Sequence, residues 1–321
     1  MCAVLDARQD GLAHGGDMPF EIVERVISES AAFQPIVDLI GGEPLLYSRL
    51  ADAIQLASEQ GVPVVVTTNG LKLQERAEAM VQAGLPLLQV SLDGWDEDSQ
   101  AARGNVASSF KRLCDGIRAV QAARGRSRFP IIRVLTAITH VNHAHLDRIQ
   151  SVVADLNVPY WGISNYFYLN RGAHERHHAF ALAHNLTGIS AAHSIEDDVY
   201  LTPEQVRDLK LSLLRVRQLN RRLRLQIAYA WQIDVEQYYS TRQASPSCRC
   251  ELPYTRLDVH ADGRLAVCVS GKHVGHVQRD SIADIWRGTS LRGYRRMYER
   301  TRPMPMCFRC CGLSQSIRFE P

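Results

Sequence analysis

Up to about residue 170 the chain alternates between two hydrophobic patterns. Short apolar runs stand at PIVDLI (35–40), VPVVVTT (62–68), LPLLQVSLD (85–93) and FPIIRVLTAIT (129–139). Each is too short for a helix of its own and rich in Val, Ile and Leu, so each is expected as a buried strand. Between them, apolar residues recur at helical spacing: Leu46, Leu50, Ala53, Ile54 and Ala57 within 45–60, and Phe110, Leu113, Ile117 and Val120 within 108–124. Runs at 19–32 and at 142–156 (Leu146, Ile149, Val152, Val153) have the same texture. Strand and helix alternating over short connections predict an α/β fold with a parallel sheet and right-handed crossovers. Such a sheet receives ligands at the C-terminal ends of its strands, in a crevice or at a barrel mouth.

Residues 170–200 break this rhythm and carry five of the twelve histidines: His174, His177, His178, His184 and His193. No carboxylate or cysteine is spaced to complete a metal site with them, so a solvated loop or a substrate-facing lid is expected. TPEQ (202–205) then has the form of a capping box, with Thr202 as cap, Pro203 first inside and Gln205 closing it. It opens a long helix whose Arg-rich end (Arg215, Arg217, Arg221, Arg222, Arg224) is a solvated face. TRQASPSCR (241–249) marks a domain boundary. The expected division is 1–170, a helical linker region with the His-rich insertion at 171–245, and a cysteine-rich module at 246–321.

Composition narrows the class. The 321 residues are 45% hydrophobic and 22% charged, which excludes collagen-like, disordered and coiled-coil chains. A net charge of +3 from 37 basic and 34 acidic residues is too balanced for a nucleic-acid partner. No run approaches the ~20 uncharged apolar residues of a membrane helix. MCAVLDARQDG has no basic flank before an apolar stretch, so no signal peptide is expected and the chain reads as cytoplasmic. Of eight cysteines, Cys2 and Cys114 stand alone, while Cys248, Cys250, Cys268, Cys307, Cys310 and Cys311 crowd together near the C-terminus. In a long chain without an export signal, clustered thiols point to a metal or an iron–sulfur cluster rather than a disulfide frame. Cys114 lies on an amphipathic helix beside Leu113 and is expected in the core.

The strand ends hold the candidate chemistry. The first run ends in Gly41-Gly42-Glu43-Pro44, the second in Thr68-Asn69-Gly70, the third in Ser91-Leu92-Asp93-Gly94; Arg103-Gly104 follows. Singly these are ordinary turns. On consecutive strands facing one mouth they offer an ammonium acceptor, hydroxyl and amide groups, and an arginine able to grip a carboxylate. An amino-acid-bearing nucleoside needs those groups.

In that order and spacing GGEP, TTNG, SLDG and RG resemble the core of the radical S-adenosylmethionine (SAM) enzymes. The resemblance runs from residue 1 to about 170 and implies a partial (β/α)6 barrel, a radical [4Fe–4S] cluster and bound SAM. It places Gly41, Gly42 and Glu43 at the methionyl ammonium, Ser91 and Arg103 at the carboxylate, Asn69 and Asp93 nearby, and the backbone of 162–165 at the adenine. The family's three-cysteine loop is represented only by Cys2, at the position of its third cysteine; the implied first strand and two cysteines would precede residue 1.

Downstream, alternation on either side of Asp262-Gly263 predicts a β-hairpin that delivers Cys268 four residues after its turn. SIADIWRG (281–288) predicts a short helix closed by glycine, then a basic helix runs to about 300, and Cys307-x2-Cys310 falls in a turn whose amides can donate to cluster sulfurs. Cys250, Cys268, Cys307 and Cys310 would close one cluster, with Cys248 or Cys311 able to substitute. The pattern resembles the SPASM/twitch extension of radical SAM enzymes, in a one-cluster version. Zinc is the competing reading, although only one of the two usual C-x2-C knuckles of a zinc ribbon is present.

The resemblance implies an enzyme that reductively cleaves SAM to a 5′-deoxyadenosyl radical, which takes hydrogen from a peptide or small-metabolite substrate. An electron donor such as flavodoxin or ferredoxin is implied as partner. No general base is identified. The alternative is a truncated or degenerate relative that acts as a metal-stabilised binding protein.

Overall fold

The computed structural model describes residues 17–101, 108–186, 195–196, 200–229, 231, 234–239, 250–268 and 272–310. They fall into two compact units that are discontinuous along the chain: Ser30–Ser164 with Glu204–Tyr229, and the stretch up to Glu29 with Asn165–Pro203 and Ala230–Pro321.

The first unit is an α/β layer. Strands β1 (Val37–Leu39), β2 (Val64–Thr68), β3 (Leu87–Ser91), β4 (Ile131–Ile138) and β5 (Tyr160–Asn165) follow the expected runs. With a later strand (Gln226–Ala228) next to β5, they form a six-stranded sheet in sequential order. The registered pairs β1–β2, β2–β3 and β3–β4 are parallel. The connecting helices are α1 (Leu50–Glu59), α2 (Leu73–Gln82), α3 (Ser109–Arg124) and α4 (Leu146–Asp155). Each buries an apolar stripe, such as Leu113, Cys114, Ile117 and Val120 on α3. Cys114 is a free, buried thiol, as its setting beside Leu113 implies.

Burial alternates strictly along β3 and β4. Leu88, Val90, Ile132, Val134, Thr136 and Ile138 are buried, while Gln89, Ser91, Arg133 and Leu135 lie half-buried on the other face. The long helix α5 (Pro203–Leu223) starts where TPEQ predicts and docks by Ser212 Oγ, which accepts from Leu146 N at 2.9 Å.

The second unit contains a three-stranded antiparallel sheet, β6 (Asp258–Val259), β7 (Arg264–Val267) and β8 (Lys272–His276). Helices α6 (Ile282–Arg287) and α7 (Thr289–Thr301) follow, then a 3-10 turn at Pro305–Arg309. Ser281 caps α6, accepting from Asp284 N at 3.0 Å. An earlier helix, Phe20–Ser30, contributes Ile22 to this core, and its Glu29 accepts from Ile282 N at 2.6 Å.

One expectation is corrected here. The described part of 170–200 is not a loop throughout: Arg171–Ala183 is a helix with Ala173, His177 and Ala181 buried along one side. The i, i+4, i+8 pattern is helical, but its middle member is a histidine flanked by alanines, so hydropathy hides it.

Candidate functional sites

In the first unit, the backbone turns left-handed at Gly41 (φ 108°) and Gly42 (φ 51°), conformations that residues with a Cβ adopt only under strain. A Cβ on either would meet nothing within 4 Å, so open space adjoins the turn. Glu43 ties this turn to the next strand end. Its Oε1 accepts from Leu45 N at 3.0 Å and from Thr68 Oγ1 at 2.6 Å, and its Oε2 accepts from Asn69 N at 2.8 Å. Thr68 is buried, and its hydroxyl oxygen also accepts from Gly70 N at 2.9 Å. GGEP and TTNG are therefore one hydrogen-bonded unit, a link that spacing alone does not reveal.

The SLDG end is pinned to β4 in the same way. Asp93 is buried, and its Oδ1 accepts from Ala137 N at 2.7 Å. Gln100 Oε1 accepts from Asp93 N and Gly94 N at 3.0 and 2.8 Å. Asn142 donates to Asp93 O at 2.9 Å. Ser91 ends β3 opposite Leu135, half-buried. Arg103 and Cys2 lie outside the described residues, as do Cys248 and Cys311. Within β5, a Cβ on Gly162 would stand 2.6 Å from Leu135 Cδ2 and 2.9 Å from Arg133 Nη2, so close packing requires glycine there.

In the second unit, Cys250, Cys268, Cys307 and Cys310 line one small apolar pocket, with Met304, Met306, Tyr294 and Tyr298 among its walls. Among the described residues, none of the four is in a disulfide. The hairpin delivers Cys268 on a left-handed residue (φ 60°), and the 3-10 turn supplies Cys307. Tyr298 brackets Cys250: its hydroxyl accepts from Cys250 N at 2.9 Å and donates to Cys250 O at 3.3 Å. Burial pushes that phenol up to about 12. Burial likewise raises the Cys307 thiol well above its ordinary range, with the neighbouring Cys268, Cys310 and Cys250 adding to the rise. Four converging thiols in an apolar pocket suit a group that takes up thiolates and their charge.

Among the described residues, no three His, Cys, Asp or Glu side chains stand close enough to hold one metal ion. Within the turn, the amides of Cys307 and Cys310 donate to Met304 O (2.8 Å) and Cys307 O (3.2 Å). Sequence reasoning missed Tyr298, and it gave no sign that His177 is buried.

A sheet with hydrogen-bonded polar turns at its strand ends, in a chain that also carries a module built around four thiols, defines a protein of cofactor chemistry. Residues 4–151 match the Radical SAM superfamily and residues 248–311 match SPASM, an iron–sulfur cluster-binding domain. The chain thus carries a radical SAM domain at residues 4–151 and a SPASM domain at residues 248–311. Its cofactors are accordingly SAM, a [4Fe–4S] cluster and an auxiliary iron–sulfur cluster.

Among similar proteins, GTP 3',8-cyclase of Limosilactobacillus fermentum is 33% identical over 119 residues, covering 33% of this chain and 35% of that protein. AdoMet-dependent heme synthase of Methanosarcina barkeri is 30% identical over 110 residues, 34% of this chain and 32% of that protein. The chain thus spans about a third of the length of these curated relatives. Two solved structures share the fold at low identity. SuiB of Streptococcus suis bound to precursor peptide SuiA has 13% identity and a TM-score of 0.61, over 91% of this chain and 64% of that one. The protein anSMEcpe with bound AdoMet has 12% identity and a TM-score of 0.61, over 95% and 86%. No described helix is long and apolar enough to cross a membrane.

Proposed function

We propose that this chain is the SAM-binding and auxiliary-cluster part of a radical SAM enzyme that acts on a peptide or small metabolite. The convergence of Cys250, Cys268, Cys307 and Cys310 on one cavity carries the reading. A single zinc needs sulfurs about 2.3 Å from one ion. Four thiols lining one pocket, within a stretch that matches an iron–sulfur cluster-binding domain, favour a cluster over a single zinc.

When bound, SAM and its reducing cluster would supply radical chemistry able to abstract hydrogen from a substrate. The chain's own residues orient and enclose. The Gly41–Gly42 turn brings backbone close to the methionyl ammonium, and Glu43, held by three donors, presents its remaining acceptor capacity there. Ser91, Asn69 and Asp93 flank it at the ends of β2 and β3, and Arg103 and Cys2 complete the site by family resemblance. Flavodoxin or ferredoxin is the proposed electron donor. A precursor peptide bound to SuiB supports a peptide substrate.

Equilibrium binding of SAM to the anaerobically reconstituted chain tests this. Saturable binding is expected, with at least a tenfold loss in the Glu43→Ala, Arg103→Ala double variant. Binding that the double variant leaves intact would contradict the assignment.

A further inference from the structure

The half-exposed face of the first unit's sheet carries a polar row that the cofactor reading leaves unused. It crosses four strands: Asp38 on β1, Thr67 on β2, Gln89 on β3 and Arg133 on β4. Thr67 pairs with Gln89, and Gln89 with Arg133, in the sheet register. Thr67 Oγ1 donates to Asp38 Oδ1 at 2.9 Å, and Gln89 Nε2 donates to Thr67 Oγ1 at 2.9 Å. Arg133 Nη1 donates to Gln89 Oε1 at 3.4 Å. An ionised carboxylate only accepts, so Asp38 fixes the direction of every bond along the row. Gln89 must therefore turn its oxygen toward Arg133.

Arg133 is the unbalanced member. Among the described residues no carboxylate pairs with it, and the long bond to Gln89 is its one side-chain hydrogen bond. The side chain fits because Gly162 on β5 has no Cβ; one there would stand 2.9 Å from Nη2 and 3.2 Å from Nε. Burial lowers its pKa, yet a guanidinium remains protonated at neutral pH. A half-buried cation with most of its donor fork unused is costly until an anion meets it. The planar fork matches the paired oxygens of a carboxylate or phosphate. Gln89 and Ser91 share a face two residues apart, so the row lies about 7 Å along the strands from the SLDG end.

We propose that Arg133 anchors an oxyanion of the substrate, a carboxylate or phosphate, on this sheet face, with Gln89 holding the guanidinium in position. This deepens the proposed function and rests on its reading of the sheet as the catalytic barrel.

Calorimetric titration of the full chain at low ionic strength tests it, with inorganic phosphate and succinate as separate probes and SAM as a third ligand. One oxyanion probe should bind saturably and identify which chemistry the site takes. Arg133→Gln should weaken that probe at least tenfold, and Arg133→Lys should fall between. Arg221→Gln, on the exposed face of α5, should leave it unchanged. SAM affinity should stay within twofold of wild type in every Arg133 variant. Arg133→Met, of similar bulk, checks that folding survives loss of charge. The proposal is overturned if neither probe binds, or if Arg133→Gln binds as tightly as wild type. It is equally overturned if that variant loses SAM but keeps the probe, since Arg133 would then serve the cofactor's carboxylate. Probe binding that depends on Arg133 in a chain that does not bind SAM would keep the anion site and sink the SAM reading.

Discussion

Glu43 has two tasks at one carboxylate: it joins two strand ends and faces open space beside Gly41 and Gly42. Glutamine at this position keeps the shape but replaces one acceptor oxygen with an NH2 group, which would oppose either Asn69 N or the Leu45 and Thr68 donors. Glu43→Gln should therefore cost about 1–3 kcal/mol of stability in chemical denaturation, besides weakening SAM. An unchanged midpoint would show the bridge to be dispensable. His177 poses the opposite case, being 1% exposed with neither ring nitrogen hydrogen-bonded to any of the described residues. Burial, then the neighbouring His174 and His178, bring its pKa from 6.5 down to about 4. The folded value is depressed, so the unfolded chain binds more protons between these values, and stability falls as pH drops from 6.5 towards 4. His177→Leu should stabilise the metal-free chain at pH 7, and more so at pH 5. Urea midpoints at both pH values check this, and an equal gain at both would remove histidine protonation as the cause.

At the scale of elements, the cysteine pocket depends on secondary structure far from it in sequence. Helix α7 is recognisable only as a basic helix, yet its Tyr298 is almost wholly buried and holds both backbone groups of Cys250. Tyr298→Phe removes the hydroxyl that accepts from the Cys250 amide and donates to its carbonyl in a buried setting. A loss of about 1–3 kcal/mol is expected, together with a lower iron content after reconstitution; iron content and midpoint equal to wild type would contradict this. The strands were legible because apolar runs of Val, Ile and Leu carry their own signal. So was the hairpin before Cys268, from Asp262-Gly263 and the alternation around it. The helix Arg171–Ala183 was not, because a buried histidine between alanines has no apolar period. Arg133 was visible as a charge within FPIIRVLTAIT, but its missing counter-ion and the Gly162 recess that admits it are three-dimensional facts.

At the scale of the whole molecule, the two units are assembled from separated stretches of chain. Phe20–Ser30 illustrates this: it reads as the helix before β1, but its Ile22 and Glu29 serve the core and the α6 start of the cysteine unit. Local pattern identifies such a helix without revealing its partner, since any apolar surface can receive an amphipathic stripe. The cysteine unit is where sequence motif, cavity and family match coincide. The most direct measurement is paired iron, acid-labile sulfide and zinc analysis of the anaerobically reconstituted full chain, beside a Cys307→Ser, Cys310→Ser variant. The account predicts that the variant loses about four iron and four sulfide relative to wild type, as one [4Fe–4S] cluster requires. Stoichiometric zinc without labile sulfide, lost with the same two cysteines, would contradict it.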